Sequence, residues 1–330
     1  MDSPLSHHLR VLWRLAFACA VVHAGVSVLM AADVTKANSA GLLNSGTSWT
    51  TGTAPTATDV AVWDSTVTAA NAPTYGGDIS WQGIRIANPG GLVTLGNTTD
   101  TTTLTIGGSG IDMSAATQNL LLNGNISVSG SQSWSVASGR TLQLFTLNTN
   151  RTMVGSGTMY LTNATGSGTA TFDLRPGSNG STAFTPEAGV SGYTGSWYIG
   201  PNTIVKTLRN GMNAWGNGGT VFLAGGVVGQ QQNFNGAWTN TMQLVAATTS
   251  TIDDFNSSGT RFLQLNGIIQ GTGNLTFQET NSGVTTNKDS TYTLAAANTM
   301  SGTVTVAAGA FLRVGGQAVS YTHLTLPTKA

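Results

Sequence analysis

The chain has 330 residues, no formal net charge and only 8% charged residues, far below the roughly 25% of a typical globular protein. Its thirteen basic and thirteen acidic residues form no positive stripe that could neutralise phosphates, so the composition argues against nucleic acid as a partner. Thr, Val, Ile and Trp recur in short alternating runs, which disordered chains avoid. The bulk properties therefore indicate a β protein with a largely uncharged surface.

The first 32 residues differ in character from the rest of the chain. Arg10 and Arg14 precede the apolar stretch LAFACAVVHAGVSVLMAA, which ends in the small residues Ala31 and Ala32 before polar sequence begins. A basic region, an apolar region and small residues in this order are typical of a secretory signal peptide. We therefore predict a signal peptide over residues 1–32 and a secreted or bacterial outer cell surface location. A membrane anchor is the alternative, because the apolar stretch is close to the lower limit of about 17 residues for a membrane span.

Cysteine and histidine are absent from the region between residues 33 and 318. The only cysteine is Cys19, and the four histidines are His7, His8, His23 and His323. This inventory excludes disulfides, thiolate or imidazole metal sites and a Ser-His-Asp triad from that region. We therefore predict no catalytic residue, no metal and no cofactor, and a protein that is not an enzyme.

Short runs of alternating apolar and polar residues follow the leader and predict many short strands. Examples are DVAVWDS, ISWQGIRIAN, TLTIGG, TLQLFTL, TMYLTN, TVFLAGG and NLTFQ. Turn residues separate these runs at intervals of about 8 to 12 residues, which suits a sandwich, a barrel or a solenoid of stacked coils.

Internal repeats favour the solenoid. GSGTMYLT from Gly155 matches GTGNLTFQ from Gly271, and SGYTGSWYIGPNTIVK matches NTMSGTVTVAAGAFLRV in the same order and at a similar offset. These matches predict a unit of roughly a hundred residues that is itself made of several strands. Repetition is expected of a solenoid, because each coil buries its apolar face only by stacking on a neighbour.

The later copy resembles the autotransporter-associated β-strand repeat, in which a Gly-flanked strand is followed by an Asn-containing segment and a Gly-Leu strand. Asn298, Gly302, Gly309, Leu312 and Val314 occupy the matching positions.

The earlier copy resembles the same repeat less closely. It keeps Tyr193, Gly195 and Gly200 but has Lys206 in its late strand. Together the resemblance touches most of residues 45–316.

The resemblance implies an all-β, right-handed parallel β-helix or related β-solenoid, exported to the bacterial surface as passenger-like material. We assign the solenoid to residues 33–318, with the stronger repeat at about 263–316 and the weaker one at about 154–226. Residues 319–330 lack the repeat outline and are predicted to be a foreign tail on a fragment; a natural terminal strand is the alternative. Membrane contact is expected only through export or a missing C-terminal anchor.

We predict an exported structural or adhesive surface protein without catalytic activity, with surface glycans and host or matrix molecules as partners. A carbohydrate-binding surface module is the alternative, and a polysaccharide-degrading β-helix is a third possibility. Trp215 and Trp238, in the segments NAWGNGG and NGAWTN, are the candidate glycan contacts, because an aromatic face offers apolar area for a sugar ring. The other tryptophans within alternating runs are interpreted as core residues.

Two further motifs are interpreted as structural. Asp253 and Asp254 are adjacent, so on a strand they would point to opposite faces, and we expect them to cap backbone N–H groups of a turn. GGSGID, residues 107–112, matches the core of a calcium-binding nonapeptide, but a single copy has no partner turn, and we interpret it as a strand corner.

Overall fold

A computed structural model describes residues 31–145, 151–174, 189–207, 215–231, 236–255, 261–280, 290–315 and 323–325. The described residues from 33 onward form one compact unit. Most of the predicted signal peptide lies outside the described residues. Among the described residues there is no helix of the length and apolarity needed to cross a membrane.

The described chain is almost entirely β-strand, with one short 3-10 helix at Gly46–Ser48. The strands are β1 (Ala32–Thr35), β2 (Asp59–Trp63), β3 (Ile79–Ile86), β4 (Val93–Leu95), β5 (Thr103–Met113), β6 (Leu120–Leu122), β7 (Asn125–Val128), β8 (Gln132–Val136), β9 (Thr141–Leu144), β10 (Thr152–Gly155), β11 (Thr158–Asn163), β12 (Ala170–Leu174), β13 (Gly189–Tyr193), β14 (Ser196–Ile199), β15 (Thr203–Thr207), β16 (Val221–Leu223), β17 (Val227–Gln230), β18 (Gly236–Trp238), β19 (Met242–Leu244), β20 (Thr249–Asp254), β21 (Arg261–Leu265), β22 (Ile269–Gly271), β23 (Asn274–Glu279), β24 (Ser290–Leu294), β25 (Thr299–Met300), β26 (Thr303–Val306), β27 (Ala310–Val314) and β28 (His323–Thr325).

These strands form three sheets that run along the molecule. The first sheet has 14 strands, with the main order β1-β2-β3-β5-β8-β11-β14-β16-β19-β22-β25; β7, β10 and β13 join it through β5. The second sheet has ten strands in the order β4-β6-β9-β12-β15-β17-β20-β23-β26-β28, and the third has four, β18-β21-β24-β27. Every strand register described is parallel. The prediction of an all-β parallel solenoid is confirmed.

Each coil of the solenoid passes through the sheets in the same order. The chain runs along a first-sheet strand, turns into a second-sheet strand and returns along a third side, as in β19, β20 and β21. In earlier coils the third side consists of β7, β10, β13 and the first part of β5. Strand β5 bends, so that its first part pairs with β7 and its last part pairs with β8. Coil length varies: 21 residues separate Val221 from its partner Met242, whereas 38 separate Met159 from Trp197.

Alternation along each strand builds the core. In β11, β14, β16 and β19 the inward residues are buried and stack on one another from coil to coil, while the residue between them faces outward. One such column contains Met159, Trp197, Val221, Met242 and Ile269. These columns belong to one continuous cluster of buried apolar side chains that runs from Leu43 to Ala310, so most of the fold is held by burial of stacked side chains.

Three tryptophans close the N-terminal part of this core. The ring of Trp49 meets those of Trp63 and Trp81 edge to face, at centroid distances of 5.6 and 5.7 Å. Beside them Lys36 is fully buried, and its ammonium donates hydrogen bonds to backbone oxygens of Ala37 and Ser39. Burial lowers the pKa of Lys36 to about 8, because the charged form loses hydration.

The two repeat copies found in the sequence lie on different sheets. Ser196–Ile199 of the earlier copy is in the first sheet, whereas the matching Thr303–Val306 is in the second. The unit that stacks is therefore one coil of variable length. The similar sequences are strand-corner-strand segments, and the later copy is shifted by one side of the coil relative to the earlier copy.

The glycine before the repeated strand nevertheless has the same role in both copies. A Cβ added to Gly195 would lie 2.1 Å from the carbonyl oxygen of Gly157, and one added to Gly302 would lie 2.1 Å from that of Gly273. In each case the corner of one coil touches the backbone of the coil before it. Only glycine allows this approach, which explains why the Gly-flanked strand recurs.

Part of the predicted foreign tail also pairs with the solenoid. His323–Thr325 aligns in parallel with Thr303–Thr305 and extends the second sheet. The origin of residues 319–330 stays a prediction.

Replacing Gly195 by alanine is expected to lower the free energy of unfolding by about 1–3 kcal/mol, because the added methyl group forces two coils apart. Gly108→Ala is the matched control, since a Cβ there would come no closer than 3.5 Å to a side-chain atom of Gln82. Thermal unfolding followed by circular dichroism measures both variants. Equal melting temperatures for Gly195→Ala and the parent would contradict this account of the corner.

Candidate functional site

One face of the solenoid carries no charged side chain over seven consecutive strands. The first-sheet strands β8, β11, β14, β16, β19, β22 and β25 contain no Asp, Glu, Lys or Arg. Their outward positions are occupied mainly by Ser, Thr, Tyr, Phe and Gln. We call the outer surface of these strands the uncharged face.

The neighbouring surfaces differ in charge. The second sheet carries the partly exposed Lys206 and Glu279, and the buried carboxylates of Asp173 and Asp253. In the first coils of the first sheet, Arg85 forms ion pairs with Asp33 and Asp112. The uncharged face is thus a feature of particular strands and does not simply reflect the low charge of the chain.

Three aromatic side chains line up on the uncharged face. Tyr160, Tyr198 and Phe222 occupy matching positions in β11, β14 and β16. Their ring centroids are 5.5 Å apart between Tyr160 and Tyr198 and 6.4 Å apart between Tyr198 and Phe222, with tilts of 44° and 30°. We call these three residues the aromatic row.

The two ends of the aromatic row differ. At one end, the position next to Tyr160 is Ser133, which is small and exposed, so no ring covers that side of Tyr160; the tyrosine is 42% exposed. At the other end the row continues into Gln243 and Gln270, whose amides are joined by a 3.0 Å hydrogen bond from Gln270 Nε2 to Gln243 Oε1. The column therefore changes from hydroxyl to aromatic to amide along the molecule.

The predicted glycan contacts Trp215 and Trp238 do not lie on this surface. Both are buried in the core, 0% and 1% exposed, and their rings meet edge to face at 5.4 Å. Trp215 also accepts, through its backbone oxygen, a 2.7 Å hydrogen bond from the indole nitrogen of Trp197. Because no sugar can reach rings in this position, their assignment as glycan contacts is wrong.

The other tryptophans interpreted as core residues do lie in the core. They are Trp49, Trp63, Trp81, Trp134 and Trp197. Trp134 and Trp197 are inward residues of first-sheet strands, as their alternation predicts.

Asp253 and Asp254 reach in different directions from the end of β20. Both are buried. Asp253 accepts 2.8 Å hydrogen bonds from the side-chain amide of Gln278 and the backbone N–H of Thr280, whereas Asp254 accepts one of 2.7 Å from the hydroxyl of Ser290. Asp253 does bind a backbone N–H, as expected, but that of Thr280 on the next coil, because both aspartates lie on β20 and not in a turn.

Tyr292 lies in the same corner, and its hydroxyl donates a 2.6 Å hydrogen bond to the backbone oxygen of Gln278. Burial raises the pKa of Tyr292 above the ordinary range of tyrosine, and the negative charges of Asp254, Asp253 and Glu279 raise it further. A small cleft at this corner is lined by Gln230, Asp253, Asp254, Phe262, Leu263, Ser290, Thr291 and Tyr292. Over the described residues, no group of three or more His, Cys, Asp or Glu side chains could hold a metal ion.

The GGSGID segment forms the bend of β5. Thr103–Ile106, before it, pairs with β7, and Ile111–Met113, at its end, pairs with β8. Asp112 accepts a hydrogen bond from the backbone N–H of Ser114 and pairs with Arg85. The segment is therefore a corner between two sides of the coil, as interpreted from the sequence.

The stability of the protein is expected to fall as pH rises above about 10, where an unfolded tyrosine loses its proton and buried Tyr292 keeps it. Tyr292→Phe should lower stability at pH 7 by about 1 kcal/mol through the lost hydrogen bond. Its melting temperature should then decline less between pH 9 and 11 than that of the parent.

Other buried groups titrate alike in both proteins. Lys36, with its lowered pKa, makes the fold more stable as pH rises from about 8 to about 10.4, and Tyr75 and Tyr193 have raised pKa values like Tyr292. The difference between parent and variant therefore isolates Tyr292. Melting curves that decline in parallel would show that Tyr292 does not titrate as its surroundings require.

Comparisons with protein-family models, with curated proteins and with solved structures found no match for this chain. The resemblance to the autotransporter-associated repeat thus depends on the matched residues themselves. The parallel coils support the coarser statement that the chain is a β-helix repeat protein.

Proposed function

We propose that this protein is an exported, non-catalytic surface protein of structural or adhesive function, similar to the passenger of an autotransporter. The observation that carries the proposal is the uncharged face, which presents hydroxyl, aromatic and amide groups over seven consecutive first-sheet strands. Such a long, uniform surface suits repeated weak contacts better than it suits one reaction centre.

The stacking of the coils supports the structural part of the proposal. Each strand contributes one step of about 4.8 Å along the solenoid, and the parallel ladder is continuous from β2 to β25 in the first sheet. A solenoid of this kind gains length by adding coils that contact only their neighbours. Length is useful to a protein that displays a surface away from a cell.

The bonding of the adjacent carboxylates supports the absence of catalysis. A glycosidase needs two carboxyl groups flanking one bond, at about 5–9.5 Å. Here Asp253 is bonded to Gln278 and Thr280, and Asp254 is bonded to Ser290 on another side of the coil. We infer from these hydrogen bonds that both carboxylates hold the corner together.

Export is supported by the leader and by the repeat. Arg10 and Arg14 ahead of an apolar stretch have the layout of a signal peptide. Gly195 and Gly302, which match the passenger repeat, each sit at a corner where two coils touch. The family resemblance therefore falls on residues that the solenoid needs.

We expect the full chain, produced in a Gram-negative host, to be found outside the cytoplasm and shortened by about 32 residues. Fractionation and N-terminal sequencing measure this. The double variant Arg10→Glu, Arg14→Glu is the matched control and should accumulate unprocessed, because export signals require a positive first region. Unprocessed parent protein confined to the cytoplasm would contradict the proposal.

Adhesion is measured with beads that carry the purified full chain, under flow, on surfaces coated with bacterial or host polysaccharide or with matrix protein. We expect these beads to be retained more strongly than beads coated with albumin. Equal retention of both kinds of bead on every surface would contradict the adhesive function.

A further inference from the structure

The aromatic row lies on a long surface whose described strands offer complementary groups to an uncharged ligand. Its members, Tyr160, Tyr198 and Phe222, lie in the middle of the uncharged face, with Ser133 on one side and Gln243 and Gln270 on the other. An acidic polymer or a nucleic acid requires Lys or Arg at the contact, and the strands of this face have neither.

The row also has a direction. The six positions from Ser133 to Gln270 are in register on six successive coils, so at a spacing of about 4.8 Å they cover about 24 Å along the solenoid. We call these six positions the strip. Because the strip is long and only one side chain wide, it matches an extended polymer better than a compact molecule. The ligand that fits is therefore a linear polymer that lies along the axis.

Chemistry along the strip changes in the way that a sugar chain requires. Tyr160 presents an apolar ring beside the small Ser133, and its hydroxyl, like that of Tyr198, makes no hydrogen bond with the described residues. Farther along, the amide of Gln243 donates to the backbone oxygen of Leu244 and accepts from Gln270, which leaves the amide oxygen of Gln270 for a ligand. Apolar rings that carry hydroxyls, next to an amide oxygen, complement the apolar faces and the hydroxyl edges of sugars.

We propose that the strip from Ser133 to Gln270 is a binding site for a neutral polysaccharide, with the ring of Tyr160 as its main stacking contact. This inference deepens the adhesive function proposed above and rests on it. Tyr160 has this position because it is the most exposed member of the row and because Ser133 leaves one side of its ring open. Tyr198, which is partly buried and packs against Phe222 on its other side, holds the ring of Tyr160 in place.

The test is affinity electrophoresis of the full chain in gels that contain a neutral β-glucan, a galactomannan or an arabinogalactan, with polygalacturonate as the acidic polymer. We expect at least one neutral polymer to retard the protein and polygalacturonate to have no effect. Retardation should not weaken at high salt, because no charged group makes the contact.

The variants separate stacking from other effects. Tyr160→Ala should weaken binding about tenfold, the loss expected when a central aromatic contact is truncated. Tyr160→Phe, which keeps the ring and loses the hydroxyl, should weaken binding less than Tyr160→Ala does. Phe262→Ala, which removes a 41%-exposed ring from the third sheet, should bind as the parent does. Circular dichroism melting checks that each variant is folded, and Tyr160 is exposed enough for its replacement to be tolerated.

Four results would overturn the inference: no retardation by any neutral polymer, equal retardation of the parent and Tyr160→Ala, binding of polygalacturonate that salt abolishes, or a dimer in sedimentation that Tyr160→Ala dissociates. The last would mean that a second copy covers the row. If beads still adhere under flow but the protein binds no polysaccharide, the proposed binding site is wrong and the adhesive function is still supported. Loss of adhesion on every surface would overturn the adhesive function as well.

Discussion

Direct backbone contact between successive coils is the constraint on which the rest of the structure depends. At Gly195 and Gly302 the chain passes so close to the previous coil that a Cβ would lie about 2 Å from a carbonyl oxygen. This approach lets strands on both sides of the corner keep parallel pairing with their neighbours. Once the pairing is set, every inward or outward position is repeated on the next coil, and side chains become columns.

The fold class could be predicted because its signals are local. Alternation marks each strand, and a glycine at a strand boundary marks each tight corner, whatever side of the coil it occupies. Coil length could not be predicted, because the spacing between paired residues ranges from 20 at Ser290 to 38 at Met159. The unit of roughly a hundred residues suggested by the repeats compares segments that the structure places on different sheets.

The candidate site could also be predicted only in part from the sequence. Gly and Asn surround Trp215 and Trp238 in the sequence, and such surroundings predict exposed loops. The structure instead buries both rings, since each fills the interior of a coil and packs against the other. Tyr198 and Phe222 each lie between two inward residues, so alternation alone places them outside. Their alignment with Tyr160 could not be read from the sequence, because it depends on register across intervals of 38 and 24 residues.

The interior also changes along the molecule, and this change bears on how one register is selected. One second-sheet column begins with Leu95, Leu122, Leu144 and Leu174 and continues as Thr207, Gln230, Asp254 and Glu279. Apolar columns tolerate a slip by one coil, since one leucine replaces another.

The polar part of the column does not tolerate a slip. The hydroxyl of Ser290 bonds Asp254, its backbone N–H bonds Glu279, and these hydrogen bonds exist in one alignment only. A shifted coil would leave a carboxylate buried without its donor, at a cost of several kcal/mol. The buried polar corner thus adds little net stability but penalises every other register. That same register aligns Tyr160, Tyr198 and Phe222 on the outside, so the specificity of the core underlies the order of the surface.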